Sequence, residues 1–183
     1  MRGIPDMIKK TENITLELKT GNIVKQHDTD AIVNAANAEL KIGGGVAGAI
    51  HSAGDPELEQ LTRPLAPIKP GEAVITEAPN LPNRFVIHCL GPVYGRDEPA
   101  DTLLARCYKN ALTLAEENQL ESIAFPAIST GAFGFPMKDA ARIAIQTVLD
   151  ESKHAKSLRF VTFVLFDEKT YSVHAEVLKS LEI

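Results

Sequence analysis

The segment from residue 31 to 51, AIVNAANAELKIGGGVAGAIH, constrains the fold more than any other part of this chain. It opens with a short apolar run of the kind that forms a buried strand, and it reaches three consecutive glycines before an apolar run that can start a helix. Glycine adopts backbone angles that other residues resist, and it lets a ligand approach the main chain closely. A glycine loop that leads into a helix N-terminus leaves backbone N–H groups unpaired, with the helix dipole behind them. The segment therefore predicts a phosphate or pyrophosphate site, and the alternative is a tight turn with no ligand.

A second segment with the same order of elements lies far down the chain. The apolar run 123–125 is followed by a loop of small residues, AISTGAFG at 127–134, and Pro136 then opens a helix. In open α/β sheets, ligands bind at the carboxyl ends of the strands. Two such loops at one edge of a sheet predict a diphosphate held between them.

Strands alternate with helices along most of the chain. Apolar runs predict strands at residues 14–18, 31–33, 73–76, 85–90, 123–125 and 160–166. Several of these runs are continuously apolar, which is typical of a parallel sheet covered by helices on both faces. Because only a turn joins the 73–76 and 85–90 strands, the sheet is not expected to be purely parallel. The pattern predicts a three-layer α/β/α sandwich with a mixed, largely parallel central sheet.

The length of the chain limits the number of its domains, and its net charge limits the binding partners that it can have. A chain of 183 residues predicts a single domain, which we place at residues 13–183 after an N-terminal extension of residues 1–12. The net charge of -5, without a basic stripe, makes nucleic acid an unlikely partner. An anion bound by this chain must therefore be held by backbone N–H groups and helix ends, not by a cluster of Lys and Arg.

No apolar run approaches the roughly 20 residues that a membrane span needs, and the N-terminus lacks the apolar core of a secretory signal. A cytoplasmic location without a membrane partner is expected. Cys89 and Cys107 have no metal-ligand spacing and are interpreted as reduced core residues, and the five histidines are scattered. The sequence predicts neither a metal nor another cofactor.

Three motifs, in this order, resemble the macro domain family: IVNAAN at 32–37, GGGVA at 43–47 and FPAISTG at 125–131. The segments PGEAVIT at 70–76 and VIHCLGP at 86–92 also resemble that family. The resemblance extends over residues 14–181. It implies binding of ADP-ribose and, as in many family members, hydrolysis of ADP-ribose derivatives.

The resemblance also implies a role for each matching position. Asn22 and Ile23 would contact the adenine, and Phe166 would lie against its face. The residues that would meet the pyrophosphate from its two sides are Gly44, Gly45 and Val46, and Ser129, Thr130, Gly131 and Ala132.

At the distal ribose, Asn37 would hydrogen-bond the hydroxyls, with Ala35 beside it and Phe133 against the sugar. Asn37 is thereby the candidate catalytic residue, through positioning of the ribose. Aromatic faces and an amide are suited to a base, a sugar and a diol. Core packing is the alternative role for Phe133 and for Phe166.

Two positions depart from the family pattern. Many members have an aspartate where this chain has Asn22, and the neutral amide predicts adenine binding weaker by about 1 kcal/mol. One hydrolytic branch has an acidic residue where this chain has Ala47, which cannot orient or activate a water molecule.

The resemblance leads to two functions of different class. The first is a hydrolase of ADP-ribose derivatives, acting on mono-ADP-ribosyl carboxylates on proteins, O-acetyl-ADP-ribose or ADP-ribose 1''-phosphate. The alternative is a non-catalytic reader that binds ADP-ribose or an ADP-ribosylated protein. The lack of an acid–base residue at position 47 favours the reader, and a single domain with no further domain to recruit favours the enzyme.

Overall fold

The computed structural model describes residues 6–181, which form a seven-stranded sheet between two layers of helices. The strands are β1 (Met7–Lys10), β2 (Thr15–Thr20), β3 (Ala31–Ala35), β4 (Ala73–Glu77), β5 (Phe85–Cys89), β6 (Ser122–Phe125) and β7 (Phe160–Leu165). Their order across the sheet is β1-β2-β7-β6-β3-β5-β4. The edge strands β1 and β4 are antiparallel to their neighbours, and the strands between them all run in the same direction.

The helices pack on both faces of this sheet. The helices α1 (Gly45–Gly54) and α2 (Glu57–Thr62) cover one face, together with the 3-10 helix Ile23–Lys25. The other face is covered by α3 (Ala100–Glu117), α4 (Met137–Ser152) and α5 (Glu168–Ser180). A second 3-10 helix, Arg63–Leu65, follows α2. The predicted three-layer sandwich with a mixed, largely parallel sheet is therefore confirmed.

The core is divided by the sheet, because successive side chains of a strand point to opposite faces. On β6, Ile123 and Phe125 are buried on the α3–α5 side, whereas Ala124 is buried on the α1–α2 side. Phe125 stacks on Phe163 of β7 with ring centroids 5.7 Å apart, and Tyr108 of α3 lies 5.0 Å from Phe125. This aromatic group fixes the carboxyl ends of β6 and β7, from which two candidate loops leave.

The structure contains an edge strand that the sequence analysis did not predict. Residues 7–10 pair with β2, with Met7 opposite Leu18, although no element was predicted before residue 14. The strand is short and only half-buried on one side, so it lacks the apolar run that marks the central strands. The division at residues 12 and 13 stays a prediction, and residues 1–5 and 182–183 of those two segments lie outside the described residues.

Candidate functional site

Several strand ends meet at one edge of the sheet, because β2, β7, β6, β3 and β5 are parallel. The segment that we call the glycine loop, residues 36–44, leads from β3 to α1. The segment that we call the second loop, residues 126–136, leads from β6 to α4, and β6 is the direct neighbour of β3. The edge predicted from the sequence thus carries both predicted loops.

The glycine loop ends at an uncapped helix N-terminus. Gly44 occupies the N-cap position, where no side chain caps the helix, and the first turn holds no acidic residue. The backbone N–H groups of Gly45, Val46 and Ala47 have no acceptor within residues 6–181. Gly44 and Gly45 are exposed. Unpaired donors at the positive end of a helix dipole form an anion-binding site.

Close packing within the glycine loop holds it against α1. A Cβ at Gly48 would lie 2.5 Å from the carbonyl oxygen of Gly43, so any larger residue at position 48 would push the loop away from the helix. Gly45 has a φ of +55°, in the left-handed region that favours glycine. The sequence analysis singled out the glycines at 43–45 but missed Gly48, which its apolar context presents as an ordinary helical position.

Asn37 closes the glycine loop through its side-chain amide. Its Nδ2 donates to the carbonyl oxygen of Lys41 at 2.8 Å, and its Oδ1 accepts from the Lys41 N–H at 3.0 Å. The amide has a second N–H and a second lone pair, so it can also bind a diol. Ala35 is the last residue of β3, opposite Cys89 of β5, and is half-buried.

The second loop is a tight turn with unpaired donors at its tip. The N–H of Phe135 donates to the carbonyl oxygen of Ser129 at 2.9 Å, and the Thr130 hydroxyl donates to the carbonyl oxygen of Ala127 at the same distance. The N–H groups of Gly131, Ala132 and Phe133 have no acceptor in the part of the chain that the structure describes. A second set of main-chain donors therefore lies beside the first.

The two phenylalanines have different surroundings. Phe133 is half-buried and packs against a small core cluster that includes Leu40 and Leu90. Phe166, directly after β7, is 90% exposed, so core packing does not explain it. An exposed aromatic face at a binding edge is available for stacking on a planar base.

Asn22 and Ile23 lie beside Phe166. The N–H of Gly21 donates to the carbonyl oxygen of Leu165 at 3.0 Å, which fixes the chain before Asn22 against the end of β7. The Oδ1 of Asn22 accepts from the Val24 N–H at 3.1 Å and caps the 3-10 helix. The Ile23 side chain is buried, but its backbone N–H has no acceptor among residues 6–181. Main-chain and amide groups therefore lie at the same end of the sheet as the exposed aromatic ring.

A buried polar network lies below the glycine loop. Nδ2 of Asn34 on β3 donates to Nδ1 of His88 at 3.1 Å, and Nε2 of His88 donates to the Thr76 hydroxyl at 3.0 Å. Burial, with a smaller contribution from the nearby His51, lowers the pKa of His88 to about 3. The predicted structural role of His88, satisfying a core hydrogen bond, is confirmed.

The remaining candidate groups are structural. His51 is fully buried and donates from Nδ1 to the Asp55 carboxylate at 2.9 Å. Asp167 caps α5 by accepting from the Thr170 N–H. Cys89 and Cys107 are buried free thiols, and burial raises the pKa of Cys107 to about 12. Within residues 6–181, no three His, Cys, Asp or Glu side chains are placed to hold a metal ion.

Comparison with known proteins assigns the family. The family model for the macro domain matches residues 33–144, which include the glycine loop and the whole of the second loop. The chain belongs to the macro domain family. A relative in Klebsiella pneumoniae named O-acetyl-ADP-ribose deacetylase is 47% identical over 158 residues, covering 84% of this chain and 90% of the relative.

Solved macro domain structures have the same fold. A macrodomain of Oceanobacillus iheyensis with ADP has a TM-score of 0.90 at 42% identity, covering 96% of this chain and 95% of that one. A Trypanosoma brucei macrodomain in complex with ADP-ribose has a TM-score of 0.82 at 36% identity, covering 89% of this chain and 68% of that one. In the described part of this macro domain, no helix is long and apolar enough to cross a membrane.

Proposed function

We propose that this macro domain binds ADP-ribose along the carboxyl edge of its sheet and hydrolyses ADP-ribose derivatives at the distal ribose. The adenine lies between Asn22, the Ile23 N–H and the exposed ring of Phe166. The pyrophosphate accepts hydrogen bonds from both loops, and the distal ribose lies between Asn37, Ala35 and Phe133. The pyrophosphate-binding residues in this proposal are Gly44, Gly45, Val46, Ser129, Thr130, Gly131 and Ala132.

The observation that carries the proposal is the pair of unpaired N–H sets on neighbouring parallel strands. The set at 45–47 follows β3 and the set at 131–133 follows β6. Adjacent strands of a sheet lie about 4.8 Å apart, so the two loops are spaced for one ligand with two adjacent phosphates. The chain has a net charge of -5, and main-chain donors bind a diphosphate without a cluster of cations.

Hydrolysis in this site rests on orientation and electrostatics. Asn37 positions the ribose, and a water molecule between a phosphate oxygen of the ligand and the anomeric carbon attacks that carbon. The bond from the anomeric carbon to the acyl oxygen breaks, the carboxylate leaves, and the phosphate oxygen takes the proton of the water. Proximity and preorganised donors supply the rate enhancement without an acidic side chain. The name of the Klebsiella pneumoniae relative supports a hydrolase.

A specific feature favours the second candidate, a reader that binds ADP-ribose and releases it unchanged. Ala47 is 4% exposed, and the first turn of α1 holds no acidic residue that could activate water. The two candidates share the binding site and differ only in turnover.

The test is release of free ADP-ribose from a protein that is mono-ADP-ribosylated on glutamate, measured by mass spectrometry. We expect release by the wild type and none by Asn37→Ala, because the ribose is then no longer held for attack. O-acetyl-ADP-ribose and ADP-ribose 1''-phosphate are assayed in parallel to identify the preferred linkage. Intact binding with no turnover of all three substrates would establish the reader instead.

The proposed partners are ADP-ribose and ADP-ribosylated protein, and the proposal requires neither a metal nor another cofactor. Both cysteines are buried free thiols, which fits the cytoplasmic location that the proposal assumes.

A further inference from the structure

Gly91, which follows β5 by two positions, packs directly against the second loop. A Cβ built on Gly91 would overlap the Ser129 hydroxyl oxygen and would lie 2.6 Å from Cγ2 of Ile128. The Ser129 side chain therefore occupies the space that any other residue at position 91 would fill. Close approach of this kind is possible only where one partner lacks a side chain.

Ser129 itself has an unusual environment. Its φ is +68°, in the left-handed region that a residue with a side chain rarely adopts. The side chain is buried, and its hydroxyl has no hydrogen-bond partner within residues 6–181. A strained backbone and an unpaired buried hydroxyl persist only where the surrounding structure holds them, and they cluster at functional sites.

The conformation of Ser129 sets the direction of the chain that follows it. After Ser129, the chain turns back so that the Phe135 N–H reaches the Ser129 carbonyl oxygen. The residues inside this closed turn include Gly131 and Ala132, which are exposed and whose N–H groups are unpaired. A different φ at position 129 would redirect these donors.

The segment 91–94 contacts the second loop at two points. Gly91 receives Ser129 at the start of the turn, and the Tyr94 N–H donates to the Phe133 carbonyl oxygen at 2.9 Å near its tip. The ring of Tyr94 also lies 5.0 Å from that of Phe135. The segment after β5 therefore contacts the turn that follows β6 both at its start and near its tip, where the unpaired N–H groups lie.

We propose that Gly91 is a positioning residue for the pyrophosphate, acting through Ser129. The bare Cα of Gly91 admits the Ser129 side chain and so holds Ser129 in the left-handed conformation that directs the Gly131 and Ala132 N–H groups at the ligand. The inference rests on the proposed function, since it assumes that ADP-ribose binds at this edge. Ser129 then acts through its backbone angle and its packing against Gly91.

The test is the affinity for ADP-ribose, measured by isothermal titration calorimetry on the full chain. If the wild type does not bind ADP-ribose, the proposed function is refuted, and Gly91 has no binding site to position. This outcome differs from a failure of the inference about Gly91 alone, which requires a wild type that binds. Given wild-type binding, we expect Gly91→Ala to bind ADP-ribose at least ten-fold more weakly. Wild-type affinity in folded Gly91→Ala would overturn the inference.

The matched variants separate positioning from general damage. Ser129→Gly removes both the packing contact and the conformational restraint, so we expect a three- to ten-fold loss of affinity. If Gly91→Ala does not fold, the affinity of Ser129→Gly tests the inference by itself, and wild-type affinity in that variant overturns it. Gly54→Ala is the control, because its added Cβ would crowd Leu58 at 3.0 Å at the end of α1 that is remote from the glycine loop, and an equal loss there would also overturn the inference.

The double variant tests whether the two residues act as one contact. Gly91→Ala with Ser129→Gly should lose less affinity than the two single losses combined, because the overlap with Ser129 is gone and only the close contact with Cγ2 of Ile128 remains. Losses that simply add would contradict a shared contact.

Backbone ¹H–¹⁵N NMR spectra localise the effect. ADP-ribose should shift the signals of Gly131 and Ala132 in the wild type but not in Gly91→Ala, whereas Asn22 and Phe166 should shift in both. A uniform loss of all ligand-induced shifts would indicate a structural role only.

Discussion

The glycine loop and the second loop offer the same chemistry but reach it in different ways. Both present unpaired N–H groups after parallel strands, and both contain a left-handed residue. The glycine loop contains the left-handed Leu40, and the left-handed Gly45 follows it at the start of α1, where glycine needs no support because it has no side chain. In the second loop Ser129 and Gly134 are left-handed, and Ser129 is held by Gly91 from the segment after β5.

The difference shows which residues determine the conformation of a binding loop. Where glycine occupies the left-handed position, the local sequence is sufficient to set the conformation, because glycine accepts the required angles. A loop that uses serine at such a position depends on a residue distant in the chain. Substitutions in and below the two loops should therefore differ in kind, as the following predictions state.

The largest expected effect concerns the network below the glycine loop. Because His88 has a pKa of about 3 in the folded state, it stays neutral between pH 6.5 and 3, where a histidine of the unfolded chain is protonated. The unfolded state then binds the extra proton, so the free energy of unfolding falls as the pH drops, by about 1.4 kcal/mol per unit. The unfolded histidine is already half protonated at pH 6.5, so urea denaturation at pH 6.5 and pH 4.5 should show a loss of just above ~2 kcal/mol from His88.

The control for this prediction is His88→Gln, which can still accept from Asn34 and donate to Thr76 but does not titrate. His174 is also buried, and burial lowers its pKa, so the variant should weaken the pH dependence without removing it. Equal pH dependence in both proteins would contradict the assignment to His88.

A steric substitution in α1, where the helix packs against the glycine loop, should have the next largest effect. In Gly48→Ala the added Cβ meets a backbone oxygen at 2.5 Å, which cannot move without shifting the loop. We expect a loss of about 2 kcal/mol in the free energy of unfolding, despite the better helix propensity of alanine. Gly131→Ala is the control, since its Cβ has open space outside any helix and its change should stay below about 0.5 kcal/mol. Chemical denaturation measures both, and similar values would refute the steric explanation.

Exchanging glycine and serine between positions 45 and 129 sharpens the comparison further. Gly45→Ser places a side chain at a φ of +55° with no supporting contact, and should cost about 1.5 kcal/mol of stability. Ser129→Gly should cost little stability, since glycine adopts the same angle freely. Thermal unfolding of the two variants tests this, and a larger loss for Ser129→Gly would show that its packing outweighs its backbone strain.

The smallest expected effect lies outside both loops, at the adenine end. Asn22→Asp keeps an oxygen that can cap the 3-10 helix and adds a charge that strengthens a hydrogen bond from the adenine amine. We expect ADP-ribose affinity to rise by about 1 kcal/mol, roughly five-fold. Calorimetry on the wild type and on Asn22→Asp measures this change. An unchanged affinity would show that the adenine does not contact residue 22.

The sequence predicted some parts of the site and not others, because some of its features leave a local sequence pattern and others do not. The segments at 43–45 and 127–134 were found because small residues between an apolar run and a helix are a local signal. The hydrogen bonds between the Asn37 side chain and Lys41 were not foreseen, since an amide four residues from its partner leaves no pattern. Tyr108 is a core residue of α3, and its hydroxyl also accepts from the Ile128 N–H and so fixes the start of the second loop, a contact that no local pattern indicates.

The sequence by itself determined the α/β/α class, the parallel centre of the sheet and the edge that carries the two loops. These follow from apolar periodicity and from glycine and proline positions, which act over a few residues. Only the tertiary structure decided that Gly91 supports Ser129, that Gly48 packs against Gly43, and that His88 joins Asn34 to Thr76. Each of these contacts joins separate elements or closes a loop onto a helix, so it exists only once the chain is packed.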